Sequence, residues 1–121
     1  MIDKQKIAIT GGTGFVGRSV LEEGMRRDQL IAALTRNHAG LFSEKINWIK
    51  GGLENQLSLE DLVGEANTVI HIAGLTNTPN PSAFEDANVK GTSKIIRAIQ
   101  QTGARNIIFV SSLAAREPSL S

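Results

Sequence analysis

Short apolar runs alternate with amphipathic stretches along this chain, and the alternation sets out its elements. Ile7-Ala8-Ile9 rises out of Lys4 and Lys6 and predicts a buried strand. Beyond a glycine-rich stretch, Val16, Val20, Leu21 and Met25 recur at helical spacing. Glu22 with Arg26, and Glu23 with Arg27, stand at i,i+4 on what should be the solvated side. "LIAALT" (30–35) predicts strand two and "INWIK" (46–50) strand three. "LSLEDLV" predicts a short helix capped by Ser58, and "TVIHIAG" (68–74) a fourth strand. Past Pro79 and Pro81 a longer helix should run from Phe84 to Gln101 and stop at Gly103. Its buried face should carry Val89, Ile95, Ile96 and Ile99, and "NIIFVSS" (106–112) predicts strand five.

Near-continuous apolar strands separated mostly by helices indicate a parallel sheet covered on both faces. Right-handed crossovers then make a doubly wound, Rossmann-type α/β sheet the natural topology, with five strands in the order 3-2-1-4-5 and strand five at an edge. No repeat or linker divides the chain, so residues 1–121 are expected to form one domain. Such a fold does not by itself assign a function.

Composition narrows the chemistry. With 13 basic and 12 acidic residues the net charge is +1, and nothing steers the chain toward nucleic acid. The absence of cysteine excludes disulfides, thiolate metal sites and cysteine nucleophiles, and no metal is expected. The N-terminus carries charges where a secretory signal needs an apolar run, and the longest apolar stretches are too short to span a bilayer. A soluble, cytoplasmic protein without membrane insertion is the expectation.

The strongest chemical signal is Thr10-Gly11-Gly12-Thr13-Gly14-Phe15-Val16-Gly17, between strand one and the first helix. Two spacings fit: Gly12-x-Gly14-x-x-Gly17 and Gly11-x-x-Gly14-x-x-Gly17. In either, the early glycines allow a tight turn, Gly14 lets a pyrophosphate approach the backbone, and Gly17 lets the helix pack close to the sheet. The free N–H groups and the positive helix end then face the phosphates. At the end of strand two, where an NAD binder usually places an acid for the ribose hydroxyls, stands Arg36. A guanidinium there can pair with a 2′-phosphate, so NADP(H) is favoured over NAD(H).

"TGGTGFVG", "VIHIAG", "NVKGT" and "FVSSLAA" together resemble the extended or atypical short-chain dehydrogenase/reductase family, the NAD(P)-dependent epimerase/dehydratase group, over essentially the whole chain. The resemblance implies cofactor contacts for Gly11, Gly12, Thr13, Gly14, Phe15, Val16 and Gly17, and for Ala73 and Gly74 beside the adenosine. It also implies a catalytic role for Ser112, which would hydrogen-bond the substrate oxygen, and a supporting one for Asn88. His71 reads as a core position. "REPSLS" is similar to members related to the nucleotide-binding accessory subunit of respiratory NADH dehydrogenase.

Two departures from the family pattern stand out. Gly52 takes the place of the acid that usually follows strand three, leaving adenine contacts to the Leu53 backbone or to Glu54. The family's Tyr-x-x-x-Lys is missing, since the chain has no tyrosine, and Lys90 and Lys94 follow none. The expectation is an NAD(P)(H)-binding domain of an oxidoreductase or epimerase, truncated after strand five, without the substrate-binding part and catalytically incompetent as it stands. The alternative is a non-catalytic NAD(P)H-binding accessory subunit of a larger complex such as a respiratory NADH dehydrogenase. An open fifth strand also predicts self-association near that edge.

Overall fold

A computed structural model describes residues 6–37, 43–72, 81–102 (backbone alone to residue 88) and 106–110. The elements follow as β1 (Lys6–Thr10), α1 (Phe15–Arg26), β2 (Leu30–Thr35), β3 (Ile46–Lys50), α2 (Gln56–Val63), β4 (Thr68–Ile72), α3 (Pro81–Thr102) and β5 (Asn106–Val110). All strand pairs are parallel, in the order β3-β2-β1-β4-β5 that the pattern predicts.

Period-two alternation along β1 explains why both faces are covered. Ala8 points into a core with Leu34, Leu59, Leu62, Val63, Val69, Ile95 and Ala98, closed by α2 and α3. Ile9 points the other way, into Leu21, Ile31, Ala33, Ile46 and Ile72, closed by α1. A one-residue slip of β1 against β2 or β4 would exchange these two sets, so register and layer assignment are one constraint.

Several expected details are corrected. Ser58 is not the cap of α2: Asn55 is, its side-chain oxygen accepting from the Ser58 N–H at 3.2 Å. The Ser58 hydroxyl instead donates to the Lys50 carbonyl at 3.1 Å, in space left by Gly51, whose φ is +155°. A Cβ on Gly51 would stand 2.1 Å from that hydroxyl oxygen. Thus Gly51 and Ser58 lock the β3–α2 connection. α3 starts at Pro81 rather than Phe84, because proline lacks only an N–H that a first helical turn leaves unpaired anyway.

On α3, Val89 and Ile96 are exposed, while Gly91, Ile95 and Ala98 are buried. Gly91 leaves room for the Leu53 side chain, and Ala98 joins the core that α2 and α3 share, so the stripe through 91, 95 and 98 faces inward and the seven-residue pair Val89/Ile96 faces out. On α1, Glu22 pairs with Arg18, and Glu23 takes both Arg26 and Arg27, so the expected Glu22–Arg26 pair does not form. Strands four and five are described only to Ile72 and Val110; the rest of each predicted run, and Gly103, lie outside the described residues. β3 and β5 are the edge strands among the described residues, and on β5 Ile107, Ile108 and Phe109 are exposed. No helix among the described residues is long and apolar enough to cross a membrane.

Candidate functional site

The site is built where the chain leaves β1. Gly11 has φ +78°, and its carbonyl accepts from the Gly14 N–H at 3.2 Å, closing the turn. A Cβ on Gly11 would stand 2.9 Å from Cβ of Ile72, at the end of β4. A Cβ on Gly17 would lie 1.9 Å from the Gly11 carbonyl oxygen and 2.6 Å from Cα of Gly12. By contrast, one on Gly12 would meet nothing nearer than the Leu21 side chain at 3.4 Å, and one on Gly14 only the Gly11 oxygen at 3.6 Å. Of the two spacings, 11-14-17 is therefore the one the fold demands at both ends. The protein itself places no steric demand on Gly14; its openness serves whatever lies over the turn.

α1 begins at Phe15 behind Gly14, with no side-chain cap and no acidic residue in its first turn. Its leading N–H groups and the positive end of its dipole are thus left uncompensated. Gly11, Thr13 and Gly14 are exposed around this turn, Val16 is half-buried, and the Phe15 ring lies almost wholly in solvent. Backbone N–H groups around a turn without side chains form a cradle suited to a diphosphate. The residues present fit the nicotinamide dinucleotide that the sequence implies.

Arg36 follows β2 and is exposed, its guanidinium 3.6 Å from the Glu54 carboxylate. Both oxygens of that carboxylate lie 2.5 Å from where a Cβ on the buried Gly52 would stand. Leu53 is half-buried, its side chain packed against the core, where a Cβ on Gly91 of α3 would be 2.8 Å from it. The parallel sheet brings the glycine turn, Arg36 and Leu53 to the carboxyl ends of three adjacent strands, β1, β2 and β3. Ala73, Gly74 and Ser112 lie outside the described residues, as does the side chain of Asn88, whose backbone belongs to α3.

Behind the turn stands a cluster that periodicity alone does not reveal. Buried Thr10 and His71 are register partners in β1 and β4. The Thr10 hydroxyl oxygen accepts from the Ile72 N–H at 3.2 Å and lies 2.7 Å from Nδ1 of His71. Nε2 of His71 lies 3.2 Å from the Thr92 hydroxyl on α3, and Phe109 of β5 meets the imidazole edge-on at 5.9 Å. Every polar atom of the ring is partnered, so His71 is a core residue, as expected, that ties three elements together beside the glycine turn. The signal for it was a threonine and a histidine at matching strand positions, visible only once the β1–β4 register is known.

A cavity of about 480 Å³, lined by Lys6, Leu30, Glu44 and Glu65 among others, lies at the amino ends of the strands. In open parallel sheets ligands bind at the carboxyl ends, so this hollow is not the dinucleotide site.

Fold and turn together define a doubly wound domain of the dinucleotide-binding class. The sequence profile of the NAD dependent epimerase/dehydratase family matches residues 7–118, and the chain belongs to that family. It is 36% identical over 118 residues to the ceramide reductase of Caulobacter vibrioides, covering 95% of this chain and 37% of that protein. Among solved structures, the UDP-N-acetylglucosamine 4-epimerase of Bacillus cereus superposes with a TM-score of 0.70 at 25% identity, covering 88% of this chain and 35% of that one. The Bordetella bronchiseptica enzyme WbmG, solved in complex with NAD, shares the fold at a TM-score of 0.74 and 20% identity, over 88% of this chain and 37% of that one. The chain therefore spans about a third of the length of these relatives.

Burial of His71 holds its imidazole below the ordinary histidine range, so the folded protein keeps it neutral. The unfolded chain takes up a proton near pH 6.5 that the folded chain refuses. Stability is thus complete above about pH 6.5 and falls as pH drops toward the lowered folded value, by up to about 1.4 kcal/mol per pH unit. Urea unfolding at pH 8.0 and pH 5.5 should show this loss in the wild type and a smaller one in His71→Gln. Equal losses in both proteins would contradict it.

Proposed function

We propose that this chain is the cofactor-binding domain of an oxidoreductase or epimerase of the short-chain dehydrogenase/reductase type, with residues 1–121 acting as one domain. The observation that carries the reading is the 11-14-17 glycine turn. Its protein contacts require glycine at both ends, and it leaves an uncapped helix start open at the middle position. Gly11 through Gly17 hold the pyrophosphate, the Leu53 backbone and residues Ala73 and Gly74 flank the adenosine, and Arg36 meets a 2′-phosphate. Ser112 and Asn88 belong to the catalytic side of the same crevice. They polarise and support a substrate oxygen whose proton is handled by a group these residues do not supply.

Charge-assisted pairing of Arg36 with a 2′-phosphate is worth roughly 1.5–3 kcal/mol, so NADP(H) should bind at least about tenfold more tightly than NAD(H). Calorimetric titration of both cofactors into wild type and Arg36→Ala tests this. Equal affinities in the wild type would remove the NADP assignment, and no binding of either would remove the cofactor reading itself.

The 121 residues contain no tyrosine, the family's usual proton donor to the substrate oxygen. A serine hydroxyl without a base partner holds its proton too tightly near neutral pH to replace it. This chain alone should therefore bind cofactor without turning it over. NADPH oxidation against a panel of carbonyl compounds should stay at background, and turnover abolished by Ser112→Ala would show the reading wrong.

Exposed Ile107, Ile108 and Phe109 on the edge strand β5 favour pairing of two copies there. Light scattering at high concentration should report a dimer or larger species, shifted toward monomer by Phe109→Lys. A clean monomer in the wild type would refute it.

A further inference from the structure

The Glu54 carboxylate lies beside Arg36 and over the buried Gly52. It occupies the space over Gly52: a Cβ on residue 52 would lie 2.5 Å from either carboxylate oxygen, so any other residue there would expel it. The backbone that carries Glu54 is pinned from three directions. The Asn55 N–H donates to the Gly52 carbonyl at 3.0 Å, Lys94 of α3 donates to the Glu54 carbonyl at 3.0 Å, and the Leu53 side chain is wedged against Gly91. From this fixed base the carboxylate reaches Arg36 at 3.6 Å. The cation that would meet a 2′-phosphate thus already faces an acid.

We propose that Glu54 is a specificity-determining residue that competes with a cofactor's 2′-phosphate for Arg36, and so holds down the preference for the phosphorylated dinucleotide. This rests on the reading of Arg36 as the 2′-phosphate residue. A phosphate arriving at Arg36 must displace the carboxylate or share the guanidinium with it at close range, where two anions repel. A cofactor with free ribose hydroxyls needs neither, and the carboxylate can stay where it is. Both partners are about two-thirds exposed, which limits an ion pair of this kind to a modest contribution. Removing the competitor should therefore strengthen binding of the phosphorylated ligand by up to about fivefold.

Adenosine 2′,5′-bisphosphate and adenosine 5′-monophosphate isolate this end of the cofactor and need no turnover. Both are titrated into the full chain as wild type, Glu54→Gln, Arg36→Ala and the double variant. Glu54→Gln should gain two- to fivefold for the bisphosphate and nothing for the monophosphate. In the Arg36→Ala background the gain should vanish, whereas simple loss of a nearby negative charge would persist there. If wild type prefers the bisphosphate and Arg36→Ala abolishes that preference, yet Glu54→Gln changes nothing, the competition is refuted and Arg36 keeps its role. If wild type shows no preference and Arg36→Ala has no effect, the NADP reading fails, and this proposal with it. Weaker monophosphate binding by Glu54→Gln would instead make Glu54 an acceptor for the nucleoside, which also overturns the competition.

Discussion

The site depends on a contact between backbones. α1 sits so close to the turn after β1 that no atom beyond hydrogen fits on Gly17: a Cβ there would fall 1.9 Å from the Gly11 carbonyl oxygen. That closeness aims the first turn of α1 at the carboxyl edge of the sheet and puts Gly11 into its positive-φ conformation. Gly11 in turn lies against Ile72, so the glycine turn, the end of β4 and the start of α1 share one small volume. Anything added to Gly11 or Gly17 moves the helix start, and with it the N–H groups that would face a diphosphate. Overpacking of this sort costs roughly 1–3 kcal/mol in an ordinary core. Here it would also misdirect the site.

The same volume is braced from beneath. Thr10 takes the Ile72 N–H and reaches His71, and His71 reaches Thr92 on α3. Two neighbouring strand ends and the helix that follows them are thereby linked by side chains buried next to the turn. A hydroxyl and an imidazole in the core cost desolvation unless they are paired, and here each is paired. The arrangement exchanges some tolerance to acid for a fixed geometry at the place where the turn leaves the sheet.

Strand order, the covering of both sheet faces and the glycine turn were legible in the sequence because each follows from a local period or from short spacing. Apolar runs such as "LIAALT" and "NIIFV" have one sensible place in a parallel sheet. What escaped was set by tertiary contact. Ser58 looks like a helix cap but sits inside α2, because Asn55 caps it and Gly51 leaves a hole for its hydroxyl. Val89 and Ile96 have the apolarity of a buried face, but the stripe of α3 that turns inward is the one carrying Gly91, Ile95 and Ala98, against Leu53 and the core that α2 shares. The choice between two glycine spacings was open in the sequence for a related reason: it is settled by the positive φ of Gly11 and by Ile72 of β4, which presses upon it. Arg36 was visible as a cation after strand two, but its engagement with Glu54, 18 positions on, was not.

The two ends of the crevice are therefore built on different principles. At the glycine turn the recognising groups are backbone, held by packing that side-chain substitution elsewhere hardly alters, and they suit any dinucleotide with a pyrophosphate. At the end of β2 stand two exposed side chains of opposite charge, Arg36 and Glu54, over a glycine that leaves one of them room. Exposed pairs contribute little to stability, so either can change without endangering the fold. On the proposed reading, binding of the class of ligand is tied to the architecture of the domain, while the choice within that class rests on a few positions free to vary. A substitution at Gly52 would reach Arg36 through Glu54, since a side chain there displaces the carboxylate from its seat and alters what Arg36 faces.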